Sequence, residues 1–201
     1  MKKSFFSTYA AVFLFVLGFG SAVSAQTGPK AFPNVNIKNF GQMDERYYRG
    51  AQPEKTDYQA LKDLGITTVI DLRNDPTDYE KPEVEALGMK YVNIPMSGWK
   101  TPKDSDIEAF LNLLNDPATG TVYVHCKAGK HRTGLTGAVY RFNKYGWDYD
   151  KAYKEMKNYD YSSWPVHYAI KGYVQDYFRK TPAVSTAPAA AAGQVTATVQ
   201  N

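Results

Sequence analysis

The sequence predicts an α/β domain, a central and mostly parallel sheet flanked by helices. Three observations predict it. Strand and helix signals alternate through the middle of the chain. Ile66–Leu72 is β-branched and mostly apolar, as a strand covered on both faces must be. Three helical segments then follow the last strand. In such folds ligands sit at the carboxyl ends of the strands, so chemistry is sought in the loops leaving those ends.

The elements follow in order. Arg46–Arg49 starts a short strand that Gly50–Pro53 breaks. Thr56 and Gln59 are spaced as a capping box for a helix carrying Tyr58, Leu61 and Leu64 and stopped by Gly65. After the strand Ile66–Leu72, a helix over about Lys81–Leu87 ends at Gly88, and Met89–Ile94 is the next strand. Asp104–Leu114 is amphipathic, with Ile107, Phe110, Leu111 and Leu114 on one face, and Ser105 and Glu108 are spaced as its capping box. Thr121–His125 is a strand. Helices follow at about Thr133–Tyr145, Asp150–Asn158 and Val166–Phe178, with Asp148 and Asp150 capping the second of them.

The chain has 201 residues, 43% of them hydrophobic, which suits one ordinary domain with its own core. Its single cysteine excludes an internal disulfide framework, a Cys-rich zinc site and a resolving-cysteine relay. A net charge of +4 is too small to argue for nucleic acid. Residues 1–25 read as a secretory signal peptide: Lys2 and Lys3, the apolar run Ala10–Gly20, then Val23-Ser24-Ala25 before Gln26. An uncleaved membrane anchor is the rival reading, but the apolar run is short for a span, so the mature protein is expected to be exported, periplasmic or secreted, without stable membrane insertion after cleavage. Residues 26–38 read as a loose lead-in, 39–180 as the folded unit, and 181–201 as a disordered tail of Ala, Pro, Thr and Val. No feature of the sequence speaks to oligomeric state.

The deciding segment is His125-Cys126-Lys127-Ala128-Gly129-Lys130-His131-Arg132-Thr133-Gly134. It puts a nucleophile at the end of a buried strand and, after five residues, an arginine opening a helix. Backbone N–H groups of Lys127–Arg132 can converge on phosphate oxygens, with the helix N-terminus and the Arg132 fork adding positive potential. The same field depresses the pKa of Cys126. Gly129 lets the loop turn without a side chain filling the cradle. Thr133 can donate its hydroxyl to the sulfur. A buried structural cysteine beside an incidental basic turn is a poorer reading, because two lysines, a histidine and an arginine within six residues are poor core material. A Walker loop fails on its pattern, and an arsenate reductase would need further cysteines. A sulfurtransferase loop is the other enzyme alternative.

The string resembles the His-Cys-x5-Arg-Thr/Ser-Gly signature of the protein tyrosine phosphatases, in the compact dual-specificity branch. Asn39-Phe40-Gly41, Tyr48-Arg49-Gly50-Ala51-Gln52-Pro53 and Ile70-Asp71-Leu72-Arg73 resemble the entry segments of the atypical plant and fungal dual-specificity phosphatases and their bacterial relatives. The resemblance covers about Asn39–Lys180 and implies a protein tyrosine phosphatase-like fold. It implies a phosphocysteine mechanism with Cys126 as nucleophile and Arg132 and the loop amides holding the equatorial oxygens, with no metal or cofactor. Thr133 assists the sulfur, and His125 orients the loop from beneath. In related phosphoinositide phosphatases, which carry glycine where His131 stands, paired loop lysines bind extra phosphates. That implies the same for Lys127 and Lys130, with Ala128 and Gly129 completing the substrate loop; His131 either contacts substrate or merely flanks the loop. The plant and fungal relatives act on inositol pyrophosphates, which implies a polyanionic small molecule as substrate. Phosphotyrosine or another phosphoprotein is the alternative, and a non-catalytic phosphate-binding module the rival from another class.

The general acid is the weak point. Aligned on Ile94-Pro95, Gly98 stands where relatives carry an aspartate. Asp104 is the candidate acid if its loop folds over the site, and a helix N-terminal aspartate otherwise; Asp106 reads as solvated. Arg49 and Arg73 either enlarge the basic pocket or form surface ion pairs. His167 reads as structural. Trp99 and Trp164 either wall the cleft or belong to the core. With no second thiol, oxidation of Cys126 cannot be stored as an internal disulfide, so peroxide inactivation reversed by added thiol is expected.

Overall fold

A computed structural model describes residues 32–164 and 167–181. The leader, the start of the lead-in, Val166 and the tail beyond Thr181 lie outside the described residues. A short strand, β1 (Gly41–Gln42), pairs antiparallel with β2 (Tyr47–Ala51). A 3₁₀ turn at Lys55–Asp57 leads into α1 (Tyr58–Asp63), β3 (Thr68–Arg73), α2 (Glu80–Ala86) and β4 (Lys90–Met96). Then come α3 (Asp104–Asn115), β5 (Val122–Cys126), α4 (Arg132–Tyr145), α5 (Tyr149–Asn158) and α6 (Tyr168–Lys180). The sheet order is β1-β2-β5-β3-β4, and every pairing except β1–β2 is parallel. The strand that ends in Cys126 is therefore the central one.

Both faces of the sheet are covered, as its apolar strands require. Alternate residues of β3 divide between two cores, because strand side chains alternate sides. Ile70 and Leu72 join Phe110, Leu135, Val139, Phe142 and Val174 beneath α3, α4 and α6, whereas Val69 joins Leu61, Ile66 and Val84 beneath α1 and α2. Among the described residues no helix is long and apolar enough to cross a membrane.

Several boundaries differ from the sequence expectation. Gly50 does not break β2, which stays paired with β5 through Gly50–His125 and Ala51–Cys126. Glycine is required there because a Cβ would fall 2.3 Å from the Tyr123 hydroxyl. Neither expected capping box forms. The first turn before α1 is closed by Asp57, whose carboxylate accepts the Glu54 N–H at 2.9 Å. The N-cap of α3 is Lys103, with no side-chain cap. Asp148 does cap α5, accepting the Lys151 N–H at 2.7 Å. Residues 32–38 are not a loose lead-in: Ile37 is buried, Phe32 and Val35 pack on the core, and the Lys38 carbonyl accepts the Ala51 N–H at 2.9 Å. The hydrophobic staple of this segment to β2 outweighs its turn-rich composition.

Candidate active site

Cys126 ends β5 as a buried residue, and Arg132 opens α4 six positions on. Between them the loop is anchored through its carbonyls. Lys127 O accepts the Gln52 N–H at 3.3 Å, Ala128 O accepts Asn39 Nδ2 at 2.9 Å, and Gly129 O accepts Arg49 Nη2 at 2.8 Å. A trans peptide points its C=O and the following N–H in opposite directions. With three successive carbonyls drawn outward, the amides of Ala128, Gly129 and Lys130 turn into the cup around Cys126. Gly129 takes φ 68°, and a Cβ there would sit 2.4 Å from the Gly50 carbonyl carbon, so this position accepts glycine alone.

Burial by itself pushes the Cys126 thiol up. It is outweighed by hydrogen bonds from the Thr133 hydroxyl and amide, the Arg132 charge and the Gly129 amide, so the thiol lies below its ordinary value. The buried Thr133 hydroxyl has no other partner among the described residues, leaving it to the sulfur. Arg132 is held from the far side of the sheet: Nη1 donates to Met96 O at 3.0 Å, Asn74 Oδ1 at 3.2 Å and Leu72 O at 3.4 Å. Those acceptors come from the carboxyl ends of β3 and β4, which is why an open parallel sheet can aim an arginine at its own strand ends.

The rim is built differently. Lys127 is exposed, and Lys130 Nζ lies 3.3 Å from Asp160 Oδ2. His131 Nε2 pairs with Ser162 O at 3.1 Å, and its ring stacks on His167 with centroids 3.4 Å apart. Burial, His167 and the neighbouring Lys130 and Arg132 charges push the His131 imidazole down to about 4. His167 ties the rim to the loop after β4. Its Nδ1 donates to Gly98 O at 2.8 Å, and Trp99 stacks on its other side at 5.0 Å. Gly98 borders the site, since a Cβ there would lie 3.8 Å from the Arg132 guanidinium. Trp99 and Trp164 are exposed and belong to no core.

The structure does not bring Asp104 to this constellation. It stands in the first turn of α3, where Oδ1 accepts the Tyr173 hydroxyl at 2.9 Å. Nor do Arg49 and Arg73 enlarge the pocket, though Arg73 does pair with a surface acid, its Nε 3.5 Å from Oδ1 of the exposed Asp75. Both are buried: Arg49 lies under the loop with its guanidinium 4.0 Å from the Tyr159 ring centroid, and Arg73 donates to Gln52 Oε1 at 2.6 Å. Sequence reasoning missed the positioning roles of Asn39, Arg49 and Gln52. Their only signal was the motif in which each stood. It also saw no ligand-spaced acidic cluster, yet the topology gathers Asp71, Glu80 and His125 with ligand atoms within 4.8 Å of one another.

A strand-to-helix loop with a depressed cysteine, inward amides and a tethered arginine defines a cysteine-based phosphatase. The family model described as "DSP-PTPase phosphatase fused to NAD+ Kinase" matches residues 31–167, and the chain belongs to this family. Among curated proteins the chain is 27% identical over 125 residues to the dual specificity protein phosphatase TpbA of Pseudomonas aeruginosa, covering 62% of this chain and 55% of TpbA. It is 33% identical over 109 residues to the inositol diphosphatase DSP3 of Arabidopsis thaliana, covering 50% of this chain and 53% of DSP3. The chain thus spans about half the length of these relatives. The catalytic core of the S. cerevisiae PP-IP phosphatase SIW14 shares the fold, with a TM-score of 0.63, 20% identity, and coverage of 70% of this chain and 86% of that one.

Proposed function

We propose that the chain hydrolyses a polyanionic phosphate, such as an inositol phosphate or pyrophosphate, through a phosphocysteine. The observation that carries this reading is the outward anchoring of the Lys127, Ala128 and Gly129 carbonyls, which leaves the loop amides to a tetrahedral anion. The Cys126 thiolate attacks phosphorus in line, an S–P bond forms, and the P–O bond breaks with its electron pair leaving on oxygen. Water then attacks phosphorus, releasing phosphate and the thiolate. Arg132 and the amides stabilise the equatorial oxygens, so the displacement calls for no metal. Thr133 eases departure of the sulfur.

A phosphoanhydride leaves as a weakly basic oxygen and needs little proton donation. That fits a site where Gly98 occupies the approach to Arg132 and Asp104 is engaged by Tyr173. The exposure of Lys127 and the partial exposure of Lys130 support a role for them in binding additional substrate phosphates. A second reading, phosphotyrosine, is favoured by Trp99, which is 65% exposed beside the rim and free to stack an aryl ring. The relatives named for inositol diphosphatase and dual specificity activity support one reading each.

The test is phosphate release from para-nitrophenyl phosphate in EDTA, followed by a phosphotyrosyl peptide, inositol hexakisphosphate and a pyrophosphate ester at equal concentration. Highest kcat/KM on the pyrophosphate ester is the expected result; highest on the peptide selects the second reading. No release from any of them would leave a phosphate-binding module. The leader sequence supports export, and recovery of a chain beginning near Gln26 from the periplasmic fraction or medium is the matching observation.

A further inference from the structure

Behind the nucleophile lies a buried cluster of charge that the two displacements do not use. His125 and Glu80 are both fully buried, with His125 Nε2 2.8 Å from Glu80 Oε1. The other ring nitrogen, Nδ1, faces Cys126 O at 3.4 Å and Asp71 Oδ1 at 3.8 Å. The carboxylates have further partners: Glu80 Oε2 accepts Gln52 Nε2 at 2.9 Å, and Asp71 accepts the Arg73 N–H at 2.8 Å and the Tyr91 hydroxyl at 3.1 Å. Asp71 comes from β3 and Glu80 from the first residue of α2, so two elements converge on one imidazole.

A 2.8 Å separation is that of a buried ion pair and leaves no room for an ion between the two atoms, neither of which has another partner among the described residues. A buried carboxylate without a counterion is costly, and among the described residues the His125 imidazole is the basic group that ion-pairs with Glu80. The ionisable groups facing His125 are Glu80, Asp71, Cys126 and Tyr123, whose ring stacks on it at 5.7 Å, while Tyr58 from α1 bonds Glu80 and Tyr91 from β4 bonds Asp71. Burial works against a charged His125. The Glu80 bond and the charges of Glu80, Asp71 and Cys126 overcome it and hold the imidazole above its ordinary value. For Glu80, burial is likewise overcome by His125, leaving the carboxyl below its ordinary value.

We propose that Glu80 is a positioning residue for the nucleophile, holding His125 doubly protonated directly behind Cys126. The buried cation then favours the thiolate, and Nδ1–H toward Cys126 O steadies the junction of strand and loop. The inference rests on reading Cys126 as the nucleophile. It adds a source of thiolate stabilisation beneath the sheet, distinct from Arg132 and Thr133 above it.

Glu80→Gln keeps the shape and removes the charge. The expected result is a Cys126 iodoacetamide titration moved upward by about 1 unit, with the acidic limb of kcat/KM following and KM unchanged. A titration that stays put or moves down overturns the proposal, because losing Glu80 alone should ease thiolate formation if His125 stays charged. Should Glu80→Gln fail to fold, ¹⁵N-histidine spectra of the wild-type chain at neutral pH decide. Protons on both His125 nitrogens are expected, and a neutral tautomer refutes the idea. Activity lost to EDTA and restored by a divalent ion would make the cluster a metal site and also overturn it. Alkylation of Cys126 that leaves turnover intact defeats the phosphatase reading itself, a result separable from all of these.

Discussion

The two sides of the catalytic loop are built on opposite rules. Its underside is wired: Asn39, Arg49 and Gln52 each hold one loop carbonyl, and His125 is paired with Glu80 out of reach of water. Its mouth is open: Lys127 is exposed, Gly98 contributes no side chain, and Trp99 and Trp164 stand in solvent. Low dielectric below makes each interaction strong and each missing partner expensive, so the cradle has one geometry. Above, the side chains are held by exposed contacts in high dielectric, Lys130 on Asp160 and Trp99 on His167, so a change there should alter which phosphate enters more than whether one is held. Substitutions below should therefore act on kcat and stability together, and substitutions above on KM and substrate choice.

The largest effect should fall where the two sides meet. Cys126→Ser is expected to lower turnover by at least about 10⁴-fold with binding of phosphate retained, checked by single-turnover release and by isothermal titration with phosphate. Next, Gly98→Asp places a carboxyl at the mouth, where it can serve as a proton donor. Its Cβ has room, 3.8 Å from the nearest Arg132 atom. Rates on alkyl phosphates should rise about 10²-fold while anhydride rates barely move. The companion Asp104→Asn should leave the pH–rate profile as it was, and a lost basic limb would instead identify Asp104 as the acid.

Arg49→Met tests the underside alone. It strands the Gly129 carbonyl, for a cost of about 1–3 kcal/mol, and should lower kcat about tenfold through a loosened cradle; chemical denaturation and kinetics measure the two. Equal KM effects on every substrate and no loss of stability would break the distinction drawn above. Lys127→Ala tests the mouth alone. It should raise KM about tenfold for a polyphosphate and leave para-nitrophenyl phosphate unaffected.

The smallest effect concerns pH. His131 is pushed down to about 4 by burial, His167 and the loop cations, so the fold favours its neutral form. Its unfolded value is higher, so stability is present above about pH 6.5 and is lost as the pH falls toward about 4. Melting temperatures over that range should fall less steeply in His131→Gln.

Much of this was legible in advance, for local reasons. The ten residues from His125 to Gly134 carry their chemistry in their order, because a strand end, a glycine turn and a helix start are adjacent in the chain. The strand cores were legible because β-branched apolar runs have one use in a covered sheet. What misled was equally local. Gly50 looked like a break and is a strand residue beneath Tyr123, and Thr56–Gln59 and Ser105–Glu108 had capping spacing without capping geometry. Arg49 read equally as pocket lining or a surface ion pair because burial of an arginine depends on partners far away in sequence, here Gly129 and Tyr159.

By itself, then, the sequence determined an α/β sheet, the cysteine at the end of a buried strand, and the cation-rich loop after it, since each rests on residues within one turn or strand of another. Only the tertiary structure decided what surrounds that loop. It turned Asp104 toward Tyr173, put Gly98 beside Arg132, stacked His131 on His167, and set Glu80 behind His125, 45 positions earlier in the chain. The reason is physical: parallel β-α-β crossovers bring together residues separated by whole elements, and which side chains then meet is settled by packing and charge pairing that no local pattern encodes.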